Sequence, residues 1–336
     1  MPSLTIAIPT YSRAQKLMRT LENLDREIGA QQLKDPITVI VSDNCSEDNT
    51  KQFVESFHPS NYELRYFRQS ENMGFDRNLK FVYDQADSEY VWFMGDDDLL
   101  TPGAILKVLT ALATTTPDLL LFSFRQPPDS KVRTFEVVEP YEVITSSPAI
   151  VELVVKYPKI TIYVLRKLCF SESQEEELRS FIGTGFIFLD IAFSVLDAAV
   201  SPKLCVIAEQ LAACDPDYLK DVFDPGAILG SEKAMSHPFV LKHLPELPER
   251  QRSMAYRGYL QFLFAYKTGA LHPHNPAAYE TAIKKIDFRV SELIVQPKTL
   301  LQFILLKTNC ARFYLLLRPV VAKIRQLLSF SYGANK

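Results

Sequence analysis

Tyr90-Val91-Trp92-Phe93-Met94-Gly95-Asp96-Asp97-Asp98-Leu99-Leu100 decides the fold of this chain. Its first five residues are apolar, aromatic or β-branched and read as a buried strand. Gly95 and three consecutive aspartates follow, and Thr101-Pro102 then reads as an N-cap with proline at the first helical position. Three carboxylates are thereby expected at the carboxyl end of a strand, where open α/β sheets place their ligands. Adjacent negative charges repel and are hard to keep ionised without a cation. A hard divalent ion, Mn2+ or Mg2+, held by oxygen ligands and shared with substrate phosphates is the simplest partner. The competing reading is a solvated acidic turn that caps the next helix.

Working outward, strand-like and helix-like segments alternate. Leu4-Thr5-Ile6-Ala7-Ile8 reads as a first strand ended by Pro9-Thr10-Tyr11, and Leu17, Leu21, Leu24 and Ile28 mark one face of a helix. Ile37-Thr38-Val39-Ile40-Val41 suits a strand covered on both faces. The Asp/Asn/Ser turn from Ser42 to Asp48 leads into a helix carrying Phe53, Val54 and Phe57. A third strand lies around Leu64-Arg65-Tyr66-Phe67, followed by Asn72-Met73-Gly74 and a helix packing Leu79, Val82, Tyr83 and Ala86. Beyond the aspartates come a helix with Ile105, Val108, Leu109 and Leu112, and a strand at Leu119-Leu120-Leu121-Phe122. Such alternation predicts an α/β, Rossmann-like, doubly wound and mostly parallel sheet flanked by helices.

In a parallel sheet Pro9-Thr10-Tyr11, Asp43 and Asp96 to Asp98 all fall at one edge and converge on one crevice. No Gly-x-Gly-x-x-Gly follows the first strand, and no Gly-x-x-x-x-Gly-Lys-Ser/Thr loop is present, so dinucleotide and nucleoside triphosphatase readings lack support. The 336 residues suffice for one large or two medium domains. A net charge of −3 argues against a nucleic-acid partner. The five cysteines show no paired spacing and read as reduced thiols, so a reducing, cytoplasmic setting is expected. No secretory signal or bilayer-spanning run is read.

The series Ile8-Pro9-Thr10-Tyr11-Ser12-Arg13, Asp43-Asn44-Cys45-Ser46-Glu47-Asp48-Asn49-Thr50, Asn72-Met73-Gly74-Phe75-Asp76-Arg77-Asn78 and Gly95-Asp96-Asp97-Asp98 resembles the family 2 glycosyltransferases of the GT-A fold over roughly the first third of the chain. Its detail is most similar to bacterial transferases that build O-antigen or capsule repeat units. The resemblance implies a nucleotide-diphosphate-sugar donor, a divalent metal and transfer to an acceptor hydroxyl. By the same resemblance Pro9, Thr10, Tyr11 and Arg13 line the nucleobase pocket and Asp43 bonds the base; the competing reading of Asp43 is an Asx turn, which is compatible with that role. Asn72, Gly74 and Asn78 shape the donor cleft, and Arg77 faces either the diphosphate or solvent. Asp96 goes to ribose or donor sugar and shares the metal, Asp98 holds the metal, and Asp97 contacts metal or sugar.

An inverting transferase also needs a carboxylate to take the acceptor proton. Here the sequence departs from the family's usual Glu-Asp pair. Asp190, in an apolar run, is one candidate base; Glu177, with Glu175 and Glu176 beside it, is the alternative. A buried structural aspartate and a solvated helix start are the competing readings. If neither serves, an inverting outcome is no longer expected; the alternative reading of the whole chain is a non-catalytic nucleotide-sugar-binding or scaffold protein with a degenerate active site.

The expected division is a donor half over 1–125, an acceptor half over 126–230 and a helical region over 231–336. An edge strand is expected over 132–138, a helix over 149–155, a strand over 160–168, and a loop at Asp215-Pro216-Asp217. His272-Pro273-His274 reads as a polar loop. From Leu293 onward there are seven basic residues and no acid, interleaved with apolar runs. This composition suits helices lying in a membrane interface, where a lipid-linked saccharide acceptor is presented on the inner face. The competing reading packs the tail on the catalytic domain or on a second subunit of a homodimer.

Overall fold

The structure, a computed structural model, describes residues 1–31, 33, 36–125, 135, 140–214 and 236–245. These lie within one compact unit, Met1–Leu219 with Lys233–Leu247. The expected edge strand at 132–138 (Phe135 apart), the 215–217 loop, the 272–274 loop and the basic tail from Leu293 fall outside the described residues.

The described residues form one nine-stranded sheet. Its first half is parallel in the order β3 (Tyr62–Arg68), β2 (Ile37–Asp43), β1 (Leu4–Thr10), β4 (Tyr90–Phe93). All residues of β1, β2 and β4 are buried. That explains their continuous apolar and β-branched runs, since helices cover both faces. β1 runs two residues further than the sequence predicts, because Thr10 stays in register beside Asp43.

α1 (Ala14–Gly29) buries Leu17, Leu21, Leu24 and Ile28. Each contributes about 1.5–3 kcal/mol by leaving water. The same helix buries a second, polar stripe of Thr20, Asn23 and Glu27. α2 (Thr50–Ser56) links β2 to β3, and α3 (Phe75–Asp84) returns from β3 to β4 while burying Leu79, Val82 and Tyr83.

The predicted helix start at Thr101-Pro102 is corrected. Asp98–Leu100 is a short strand, β5, paired antiparallel with β9 (Leu204–Cys214). The Thr101 hydroxyl donates to the Gln210 carbonyl at 2.9 Å, so it is committed to the sheet, and α4 (Ala104–Thr115) begins after Gly103. β6 (Leu119–Arg125) runs parallel to β9. β7 (Tyr141–Ile144) is antiparallel to β9 and precedes α5 (Ser147–Lys156), the helix expected at 149–155.

The strand expected over 160–168 is a turn of 3-10 helix at Ile160–Ile162 followed by β8 (Val164–Arg166), antiparallel to both β4 and β6. Thr161 is held out of the ladder by the indole N–H of Trp92 and the backbone N–H of Gly95. α6 (Glu172–Ser180) opens with a Ser171/Gln174 capping box, α7 (Ile187–Ala198) is buried along most of its length, and α8 (Pro238–His243) packs beside it.

Candidate active site

The carboxyl ends of β1, β2 and β4 open on a cleft of about 480 Å3, a size that suits a small-molecule ligand. β1 contributes Pro9 and Thr10, the turn after it Tyr11 and Arg13, and the β4 end Gly95, Asp96 and Asp97. The wall from α3 and the turn before it supplies Asn72, Gly74, Phe75 and Asn78; Asn44 and Ile160 complete the lining.

Each lining group is fixed from behind. Asn78 donates to the Ser42 carbonyl at 2.9 Å and accepts from the Ser42 hydroxyl at 2.6 Å, tying α3 to β2. Asn72 Oδ1 accepts from Asn44 Nδ2 at 2.8 Å and from Gly74 N–H at 3.0 Å. Asn44 Oδ1 in turn accepts from Met73 N–H at 2.9 Å. Gly74 has φ 84° and ψ 163°, a conformation open essentially to glycine alone. Tyr11 and Phe75 keep 42% and 44% of their surface exposed, so two aromatic faces border the cleft.

The three aspartates are not left to repel one another. Arg13 Nη1 donates at 3.1 Å to both Asp96 Oδ1 and Asp97 Oδ2. Lys16 Nζ lies 3.9 Å from Asp97 Oδ2. Lys159 Nζ stands 3.1 Å from Asp98 Oδ2 and 3.2 Å from Oδ1. The Thr10 hydroxyl donates to Asp96 Oδ2 at 2.6 Å, and the Thr161 hydroxyl donates to Asp98 Oδ2. Three side-chain cations, from α1, the turn before it and the 3-10 segment, thus meet the three carboxylates from within the chain.

Burial pushes the Asp96 carboxyl up to about 6, against the pull of Arg13 and with the help of Asp97. Burial likewise raises Asp98, against Lys159. On Arg13 burial works downward, but the charges of Asp96 and Asp97 hold it above its ordinary value.

The loop is also gripped by its backbone. The Thr20 hydroxyl donates to the carbonyls of Asp96 (3.1 Å) and Asp98 (3.2 Å), and Asn23 and Glu27 bond Leu100 and Gly103. Arg13, Lys16, Thr20, Asn23 and Glu27 follow one another at helical spacing, so a single polar stripe aims the whole acidic loop.

Among the residues singled out from sequence, Pro9, Thr10, Tyr11, Arg13, Asn72, Gly74, Asn78, Asp96 and Asp97 line the cleft. Asp43, Arg77, Asp98, Asp190 and Glu177 do not. Asp43 is fully buried, accepting from Ser46 N–H at 2.8 Å, Tyr66 hydroxyl at 2.7 Å and Arg68 Nη1 at 2.9 Å. Arg77 is exposed on α3. Asp190 is fully buried in the first turn of α7. Glu177 is half-buried on α6, its pKa raised by burial and by Asp197. Glu175 and Glu176 pair with Lys80 (2.9 Å) and Arg179 (2.8 Å).

The sequence assigns no role to Lys16, Thr20, Asn23, Lys159 and Thr161, and places Asn44 and Phe75 only inside the resembling motifs. The 3.6-residue spacing of the α1 polar stripe was available as a signal; nothing local marks Lys159.

The mostly parallel sheet flanked by helices, with carboxylates at the ends of its parallel strands, is of the GT-A type. The chain belongs to glycosyl transferase family 2, whose profile matches residues 5–173. It is 34% identical over 110 residues to the GalNAc(5)-diNAcBac-PP-undecaprenol beta-1,3-glucosyltransferase of Campylobacter jejuni, covering 32% of this chain and 34% of that protein. It is 29% identical over 110 residues to the abequosyltransferase RfbV of Salmonella typhimurium, covering 32% of each. The matched part thus spans about a third of the length of either relative. In fold it is similar to S. aureus TarS 1-349 in complex with UDP-GlcNAc, with a TM-score of 0.53 and 14% identity over 77% of this chain and 81% of that one. Among the described residues no helix is long and apolar enough to cross a membrane.

Proposed function

We propose that the protein transfers a sugar from a nucleotide-diphosphate-sugar donor to a hydroxyl of a lipid-linked saccharide, in the synthesis of a cell-surface polysaccharide. The observation that carries this reading is the convergence of Thr10, Tyr11, Arg13, Asn78, Asp96 and Asp97 on one cleft at the parallel strand ends. Tyr11 and Phe75 offer ring faces to a nucleobase, and Arg13 offers a fixed guanidinium to ribose or diphosphate. Membership of the family and the lipid-linked substrate named in the Campylobacter relative support the same reading.

The donor set at the acidic loop is all oxygen, which suits Mn2+ or Mg2+. Among the described residues no group of three or more His, Cys, Asp or Glu side chains is placed to enclose a metal by itself. Asp98 and Asp96 would therefore hold the ion together with donor phosphate oxygens. Once bound, it would neutralise charge on the departing nucleoside diphosphate. The chain's own residues orient the donor: Asp96 and Asp97 for sugar and ribose hydroxyls, Arg13 for the phosphates. Asp190 is the proposed acceptor base and Glu177 the alternative.

The basic tail from Leu293 is proposed to rest on the inner face of the membrane, bringing the cleft to its acceptor. Co-sedimentation with anionic liposomes, compared with a chain ending at Gln296, tests that part; equal binding rejects it. Transfer is tested with Mn2+, UDP-, GDP-, CDP- and dTDP-sugars and a lipid-linked acceptor extract. Turnover with one donor supports the enzyme. Nucleotide-sugar binding without any turnover supports a non-catalytic scaffold, the reading that the departure from the usual Glu-Asp pair keeps in play.

A further inference from the structure

Asp98 is more deeply buried than Asp96, at 0% against 6% exposure. Its contacts come from a segment 61 to 63 residues away. Lys159 reaches both carboxylate oxygens, and the Thr161 hydroxyl reaches one. Thr161 is pinned in turn, accepting the Gly95 N–H at 3.0 Å on its hydroxyl and the Trp92 indole N–H at 2.8 Å on its carbonyl. The Lys159 side chain is 30% exposed and its ammonium lies 4.5 Å from the Phe124 ring centroid. The residue between these two, Ile160, lines the cleft.

A buried threonine and a partly exposed lysine therefore share one buried carboxylate. Lysine is a point charge on a flexible stem, suited to exchange between partners, whereas an arginine fork would lock onto the carboxylate. A divalent ion arriving at Asp98 meets this ammonium already in place, and two cations on one carboxylate repel.

We propose that Lys159 is a built-in competitor for the cation: its ammonium neutralises Asp98 in the donor-free protein, and the metal gains Asp98 when Lys159 moves to the diphosphate of the incoming donor. This rests on the metal reading above. It makes metal and diphosphate bind cooperatively, each easing the other's entry by the same factor.

The test is Mn2+ binding to the full chain, read by the EPR signal of free Mn2+ and by fluorescence of Trp92, the protein's single tryptophan. Titrations are run with Mn2+ alone and with inorganic pyrophosphate present. Lys159→Met is expected to bind Mn2+ alone at least tenfold tighter than the parent chain. Pyrophosphate is expected to strengthen Mn2+ binding strongly in the parent and weakly in the variant. The variant should also gain more thermal stability from Mn2+ than the parent does. Should Lys159→Met fold poorly, Lys159→Gln keeps a hydrogen bond to Asp98 without the charge and carries the same expectation. Equal Mn2+ affinity in parent and variants overturns the competition and leaves the metal reading intact. Mn2+ binding that is absent, or unchanged by Asp98→Asn, overturns both.

Discussion

The side-chain amide of Asn23 holds both backbone polar groups of Leu100. The Leu100 N–H donates to Asn23 Oδ1 at 2.7 Å, and Asn23 Nδ2 donates to the Leu100 carbonyl at 3.2 Å. Asn23 sits mid-helix on α1 at 5% exposure, so water does not replace it. Asn23→Leu strands a buried donor and acceptor, each worth about 1–3 kcal/mol. A total loss of roughly 2–4 kcal/mol is expected, lowering Tm by on the order of 10 °C. Differential scanning calorimetry measures it; a Tm within a degree of the parent's rejects the account.

Gly95 separates β4 from the acidic loop, and the space beside it is taken. A Cβ there would stand 2.7 Å from Asp98 Oδ2, inside van der Waals contact, and 3.2 Å from Asp97 Oδ1. Asp98 cannot swing away cheaply because it is fully buried and the Thr161 hydroxyl holds it. Gly95→Ala is expected to displace the carboxylate and reduce sugar transfer at least a hundredfold, while far-UV circular dichroism stays that of the parent. Near-parental transfer by the alanine variant contradicts this.

How far these features were legible in the sequence depends on the range over which each is encoded. Leu17, Leu21, Leu24 and Ile28 announce α1 because periodicity is local and all four enter one core. Thr20, Asn23 and Glu27 share that periodicity on another face, yet their partners lie 76 to 78 residues on. Polar residues at that spacing read as a solvated face until the acidic loop is placed against them. The direction of β8 was hidden for a related reason: an apolar run states burial but not polarity, and three residues carry too little pattern. Lys159 sits where the regular alternation stops, so its pairing with Asp98 belongs to the tertiary structure alone. The charge argument at Asp96 to Asp98 was sound in requiring compensation, but no local pattern signals that Arg13, Lys16 and Lys159 supply part of it from within the chain.

Asp76 joins the α3 wall of the cleft to the helix that carries Asp190. It lies in the first turn of α3, and Oδ2 accepts from Gly183 N–H at 2.7 Å and Gly185 N–H at 2.9 Å. Oδ1 accepts from Ile187 N–H at 3.3 Å, at the start of α7. Gly183 and Gly185 have φ of 93° and 77°, left-handed backbone that lets both N–H groups reach one carboxylate oxygen. Asp76→Asn keeps the shape and removes the charge. A stability loss of about 1–3 kcal/mol is expected. Nucleotide affinity should change less than twofold while kcat falls, because Asn72 and Gly74 keep their own bonds. A loss confined to nucleotide affinity points the other way.

His237 gives the fold an acid sensitivity of defined sign. Its Nδ1 accepts the Phe239 N–H at 3.2 Å, which places the ring proton on Nε2, 3.1 Å from the Ser194 hydroxyl. The rings of Phe181 and Phe193 stand beside it, and burial lowers its pKa from 6.5 to about 4. Between those values the unfolded chain binds a proton that the folded chain refuses, so stability falls as pH drops. The shift corresponds to about 3 kcal/mol in full, of which about 2 kcal/mol is lost between pH 7 and pH 5. His237→Gln removes the titrating group while leaving an amide to meet Phe239 and Ser194. Its urea-unfolding free energy should depend on pH by about 2 kcal/mol less over that interval than the parent's. Parallel pH profiles for the two proteins are the result that refutes a neutral, buried His237.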